Sequence, residues 1–123
     1  MIPKKLLEVL SHESVVAIAT EGKSGAHLVN SWNSYIKVTT DETLLIPVGG
    51  MKVTEANLQE NNKVLVTMGS REVEGFHSKG TGFLIEGTGA IIYEGPRFNK
   101  TKESFPWARA VLEIRPSAIT QTL

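Results

Sequence analysis

Amides, hydroxyls and aromatic rings crowd one strand-like stretch, Asn30, Ser31, Trp32, Asn33, Ser34 and Tyr35, followed by Pro47, Gly49, Gly50, Met51, Lys52 and Thr54. A hydrophobic core has no use for so many polar groups side by side, since each must find a partner once it leaves water. Hydroxyls, a lysine and a helix start suit a phosphate. Glycines let backbone approach a flat ring closely, and Trp and Tyr offer faces on which it can stack. Together they suit a nucleotide-like cofactor, specifically a flavin. Each half also has a plainer reading. The first reads as an edge strand with polar residues toward water and Trp32 plugging the interior, the second as an ordinary strand-to-helix turn with Lys52 solvated. Strand alternation puts Asn30, Trp32 and Ser34 on one face and Ser31, Asn33 and Tyr35 on the other, so both faces carry polar groups beside an aromatic. A single core-facing surface does not explain that.

Other chemistries find little support. The chain has no cysteine, which excludes disulfides, thiolate catalysis, Cys-based zinc sites and iron–sulfur clusters. His12, His27 and His77 lack metal-ligand spacing, and the only aspartate, Asp41, falls in a turn, so a hydrolytic triad is not expected. Gly22, Lys23 and Ser24 imitate the end of a phosphate-binding loop, but Ala17 replaces its first glycine and no amphipathic helix follows. The Gly80–Gly82 and Gly87–Gly89 pairs lack the third glycine of a dinucleotide fingerprint. Thirteen basic and thirteen acidic residues cancel without a long run of either sign, so neither nucleic acid nor a membrane surface is an expected partner. No apolar run is long enough for a membrane span, and Glu8 and Glu13 interrupt any signal-peptide core; the expected location is cytoplasmic.

The elements that must position these residues follow from periodicity. At 123 residues the chain is expected to form one domain, residues 1–123. Pro3 opens a short helix with Leu6, Leu7 and Leu10 on one face, and Val15 to Thr20 reads as a buried strand. After turns at Gly22 and Gly25, His27 to Val38 reads as one long strand, and Leu44 to Val48 as the next, beyond a turn at Asp41 and Glu42. Thr54 is the expected N-cap of a helix through Leu58, ended by Asn61 and Asn62. Strands are expected at Val64–Ser70, Phe83–Tyr93 and Ala108–Arg115, with an exposed loop from Glu72 to Gly82, a polar helical segment after Gly95 and Pro96, and a stop at Pro116. Six strands without regular strand–helix alternation predict a mainly β fold, an antiparallel Greek-key barrel with short helices.

The residues also resemble a known family, over nearly the whole chain. Val15–Thr20, Leu28–Asn30, Trp32–Tyr35, Pro47–Met51, Thr54–Asn57, Gly69–Arg71, Gly80–Ile85, Trp107–Ala110 and the terminal Gln121, Thr122 and Leu123 resemble the split-barrel flavoproteins related to pyridoxamine 5'-phosphate oxidase, most of all its smallest, homodimeric FMN-binding members. The resemblance implies a six-stranded split barrel that dimerises and holds FMN near the subunit interface. It places Asn30, Ser31 and Thr54 near the phosphate and ribityl chain, and Trp32, Tyr35 and Trp107 around the isoalloxazine ring. Asn33 stands within the same matching run. The Pro47, Gly49, Gly50, Met51 turn would serve the polar edge of the ring, and Leu123 would reach the flavin of the partner subunit. Those members carry their lysine directly before the threonine. Here Val53 occupies that place and Lys52 precedes it, which leaves Lys52 and Arg71 as the basic candidates for the phosphate.

With no acid–base machinery in view, the expected function is that of a redox flavoprotein, an electron carrier or a small flavin-dependent oxidoreductase with an unidentified redox partner or reductase. The contrasting readings are a module that stores or senses FMN or a deazaflavin without turnover, and an enzyme like pyridoxamine 5'-phosphate oxidase, for which the chain lacks the extra substrate-binding segments.

Overall fold

A computed structural model describes all 123 residues. Its elements are α1 (Lys4–Leu10), β1 (Val15–Gly22), β2 (Gly25–Trp32), a 3-10 turn at Asn33–Tyr35, β3 (Lys37–Val38), β4 (Leu44–Val48), α2 (Lys52–Glu60), β5 (Lys63–Glu74), β6 (Lys79–Ile92), α3 (Pro96–Ser104) and β7 (Ala110–Gln121). The strands form one antiparallel sheet in the order β2-β1-β5-β6-β7-β4-β3. Alternate residues of β1, β4, β5, β6 and β7, including Ile18, Ile46, Val66, Ile85 and Leu112, meet in a single buried cluster. One face of a flat sheet could not gather them all, so the sheet is rolled around its core, and Leu6, Val9 and Leu58 from α1 and α2 fill the remaining volume. β2 and β3 end the hydrogen-bonded order and leave the barrel split.

The structure has seven strands where the sequence predicts six, because the expected His27–Val38 strand breaks after Trp32. Asn33 causes the break. Its Nδ2 donates to the carbonyls of Val9 (3.2 Å), His12 (2.8 Å) and Gly69 (3.1 Å), and its N–H donates to Ser14 (2.9 Å), drawing the chain inward onto α1 and β5. The predicted alternation nevertheless survives: Asn30, Trp32 and Ser34 are exposed, Ser31 and Asn33 are buried and Tyr35 is half-buried.

Three boundaries differ for local reasons. The expected Glu72–Gly82 loop is mostly strand, since Val73 belongs to the core and only residues 75–78 turn, closed by a Gly75 N–H to Ser78 carbonyl bond of 2.8 Å. β7 runs through Pro116 because a bulge between Glu86 and Gly87 absorbs the lost ladder bond; a Cβ at Gly87 would lie 2.3 Å from the Arg115 carbonyl oxygen. Met51, rather than Thr54, caps α2. Its carbonyl accepts the Glu55 N–H at 2.9 Å and starts the helix before Thr54, which becomes its third residue with a fully buried side chain.

Candidate functional site

The turn from β4 into α2 is the centre of the site. Pro47 pairs with Val111 of β7 and lies beyond Leu44 and Leu45, the only β4 residues that β3 covers, so on the β3 side its missing N–H costs no ladder bond. After Val48 the chain passes through Gly49 and Gly50 to Met51, a non-glycine residue in the left-handed region (φ 56°, ψ 37°). Such a conformation costs about 1–2 kcal/mol and persists only where the surroundings enforce it.

Arg109 supplies that enforcement. Its backbone N–H donates to the Val48 carbonyl (2.8 Å), its Nε to Gly49 O (2.7 Å) and its Nη2 to Gly50 O (2.5 Å). The guanidinium also reaches both carboxylate oxygens of Glu55 (3.1 and 3.2 Å), and the Tyr93 hydroxyl donates to the same carboxylate. The Arg109 bond, ahead of the Tyr93 bond, holds the Glu55 pKa below the usual carboxylate value, while hydrogen bonding to Glu55 raises those of Arg109 and Tyr93. With their carbonyls turned toward Arg109, Gly49 and Gly50, like Met51, donate no N–H bond within the chain. The turn therefore presents consecutive free donors just ahead of a helix start, an arrangement that receives electronegative atoms.

Thr54 extends this arrangement. Its Oγ1 is buried and has no hydrogen-bond partner in the chain, although a polar atom removed from water needs one. α2 packs on β1 and β2, whose Ser31 is 5 % exposed, and Lys52 lies exposed at the first position of the helix. On the other side of the turn is an aromatic wall. Tyr35, Phe105 and Trp107 contact one another with ring centroids 5.0–5.6 Å apart. The Trp107 ring lies so close over Gly49 that a Cβ there would sit 3.2 Å from it, which explains the glycine. Trp107 still exposes half its surface. Glu13 fixes the approach to the wall by accepting from Ser34 N–H (3.0 Å) and Oγ (2.5 Å).

Among the residues singled out from sequence, the fold thus gathers Tyr35, Trp107, Pro47, Gly49, Gly50, Met51, Lys52 and Thr54 around one turn. Asn30 donates to the Val16 carbonyl at 3.3 Å, and the Asn33 amide nitrogen is spent on three carbonyls, so Asn33 shapes the strand break. Trp32 is exposed at the end of β2 and takes no part in the aromatic trio. Leu123 lies apart, in a cleft with Arg71, Phe76 and Thr81; its carbonyl accepts from Thr81 Oγ1 at 2.8 Å, and its side chain is exposed. Sequence reasoning missed Phe105 and the Arg109–Glu55–Tyr93 group. Phe105 had a signal in its place two residues before Trp107; Glu55 and Arg109 fell within the matching runs Thr54–Asn57 and Trp107–Ala110, but nothing local joins residues 54 positions apart. A further cleft of about 220 Å³ opens beneath α3, with Tyr35, Leu45, Pro47 and Phe105 as apolar lining and Lys37, Arg97 and Lys100 as cations. Arg97 is held by Asp41 and Glu113, each at 2.8 Å.

Residues 2–123 match the profile of the pyridoxamine 5'-phosphate oxidase family. The chain belongs to that family. It is also 50 % identical, over all 123 residues and the full length of both proteins, to the FMN-binding protein of Nitratidesulfovibrio vulgaris strain Miyazaki F. Among solved structures, HupZ of Group A Streptococcus superposes with a TM-score of 0.81 at 19 % identity, covering 98 % of this chain and 94 % of HupZ. An FMN-binding protein from Syntrophomonas wolfei superposes with a TM-score of 0.70 at 18 % identity, covering 98 % and 88 %. These distant likenesses show the fold alone, the same rolled, split sheet recurring in both proteins.

Proposed function

We propose that this member of the pyridoxamine 5'-phosphate oxidase family binds FMN and works as a small redox flavoprotein. The observation that carries the reading is the orphaned, buried Thr54 hydroxyl at the start of α2, beside the free N–H groups of Gly49, Gly50 and Met51 and the wall formed by Tyr35 and Trp107. A phosphate completes the first, the polar edge of a flavin ring the second, and its flat face the third. The 50 % identity to a protein named for FMN binding supports the same choice.

In this reading Thr54 Oγ1 and Ser31 donate to the phosphate, with Asn30 beside the ribityl chain and Lys52, at the first position of α2, adding charge, whereas Arg71 lines the separate cleft around Leu123. Gly49, Gly50 and Met51 direct their N–H groups at the ring, while Tyr35, Trp107 and Trp32 limit its contact with water. Bound FMN supplies the capacity to take up and release one or two electrons; the chain holds it and tunes it. A homodimer is part of the proposal. Leu28, Trp32, Trp107 and Leu123 are large apolar side chains left 44–68 % exposed, and the cleft that Leu123 lines shares no residue with the α2 turn. No helix is long and apolar enough to cross a membrane, which is compatible with a cytoplasmic location.

A second reading, a flavin enzyme acting on a small anion, is favoured by the cleft beneath α3, because Tyr35 and Pro47 line it as well. Purified protein should be yellow, and the chromophore released on denaturation should co-chromatograph with FMN. Protein that stays colourless after incubation with FMN would refute the reading. Oxidation of NADH or NADPH by the loaded protein alone would mark an oxidoreductase, whereas a carrier would need an added reductase.

A further inference from the structure

We propose that Arg109 is a positioning residue for the flavin's reduction potential, and that Glu55 and Tyr93 act through it. The inference rests on the reading that the Gly49–Met51 turn borders the polar edge of the ring. A peptide group that turns its carbonyl one way turns its N–H the other. By bonding Gly49 O at 2.7 Å and Gly50 O at 2.5 Å, the Arg109 fork decides where the following N–H groups of Gly50 and Met51 point. The fork is in turn held by the Glu55 carboxylate at 3.1 and 3.2 Å, and Tyr93 closes the chain on Glu55. Arg109 and Glu55 side chains are 28 % and 15 % exposed, so this pair is only partly screened by solvent.

The consequence is electrostatic. Reduction adds electron density at the polar edge of the ring, and fixed N–H donors aimed there bind the reduced form more tightly than the oxidised one. Only that difference in affinity moves a potential. Lysine at position 109 would keep the positive charge but lack the planar fork that bonds two adjacent carbonyls and a carboxylate together. Releasing the turn would also let Met51 leave the left-handed region, which swings its N–H away from the site.

The test uses the FMN-loaded protein and Arg109→Lys, Glu55→Gln, Tyr93→Phe and Gly50→Ala. Arg109→Lys should reduce the preference for reduced over oxidised FMN by roughly tenfold, a fall in potential of about 30 mV for a two-electron couple. Glu55→Gln should give a smaller fall and Tyr93→Phe the smallest, with the ratio of FMN to riboflavin affinity unchanged in all three. The Gly50 and Met51 amide resonances of the flavin-free protein should move in the same order, a readout independent of the cofactor. Glu55→Gln and Tyr93→Phe keep the test open if Arg109→Lys fails to fold. Gly50→Ala separates the inference from the reading beneath it, because a Cβ at Gly50 meets nothing within 4 Å in the chain and would project into the proposed flavin edge. If Gly50→Ala shifts affinity or potential while the other three leave the potential unchanged, Arg109 has no positioning role. If all four leave both unchanged, the turn does not border the flavin and the underlying reading fails with the inference.

Discussion

Replacing Thr54 by valine should push the empty and the FMN-loaded protein in opposite directions. Threonine and valine have nearly the same shape, so the substitution removes a hydroxyl while the packing of α2 on the sheet is kept. In the chain alone that hydroxyl is fully buried and bonded to nothing. An unsatisfied buried polar group costs about 1–3 kcal/mol, so flavin-free Thr54→Val should be more stable than the parent by an amount of that order. If the hydroxyl donates to a phosphate, the bound state loses a hydrogen bond to a charged group, worth about 1.5–3 kcal/mol, or roughly ten- to 150-fold in affinity. Urea unfolding of the apoprotein and fluorescence titration with FMN and riboflavin measure the two effects separately. Riboflavin, which has no phosphate, should bind both proteins alike. A variant that is less stable when empty, or that binds FMN as tightly as the parent, would refute the reasoning, for Thr54 Oγ1 would then have a partner other than the phosphate.

Asn33→Ala should destabilise the protein by about 1–3 kcal/mol in urea unfolding, since the His12 and Gly69 carbonyls lose the Nδ2 donor, whereas the Val9 carbonyl keeps the His12 N–H at 3.1 Å. The carboxylates of Glu55 and Glu42 have pKa values lowered by Arg109 and by the terminal ammonium, respectively. Their stabilisation is therefore complete above the unfolded value of about 4.3 and is lost as pH falls through the lower folded values. Unfolding followed from pH 6 to pH 2 should show stability dropping below about pH 4.3, with a shallower drop in Glu55→Gln. Trp107→Phe should lengthen the fluorescence lifetime of bound flavin more than Trp32→Phe, because Trp107 stacks directly over the turn at Gly49; equal lifetimes in the two variants would contradict that placement.

Much of this architecture was legible in local sequence. Val15–Thr20, Leu44–Val48 and the helix near Lys4 announce themselves by periodicity, and the alternation from Asn30 to Tyr35 matches the observed burial even across the strand break. The break itself was not legible, because it depends on Asn33 reaching carbonyls at Val9, His12 and Gly69, 21 to 36 residues away in sequence. Likewise, Thr54 has the right residue type for a cap, yet a tertiary grip on the preceding glycines starts α2 earlier and turns its hydroxyl inward. Pro116 reads as a strand end until Gly87 on the neighbouring strand provides the close approach that a bulge requires. The candidate site was visible as a set of residue types at the β4–α2 turn. The role of Arg109 was not, for although it stands within the matching Trp107–Ala110 run, nothing local ties it to glycines 59 and 60 residues earlier.

The central claim, that FMN is held with its phosphate at the start of α2 and its ring against the Tyr35–Trp107 wall, is tested most directly by a crystal structure of the FMN-loaded protein. The expected result is a phosphate oxygen within hydrogen-bond distance of Thr54 Oγ1 and a ring edge facing the N–H groups of Gly49, Gly50 and Met51. A phosphate bound elsewhere, with Thr54 still unpartnered, would contradict it.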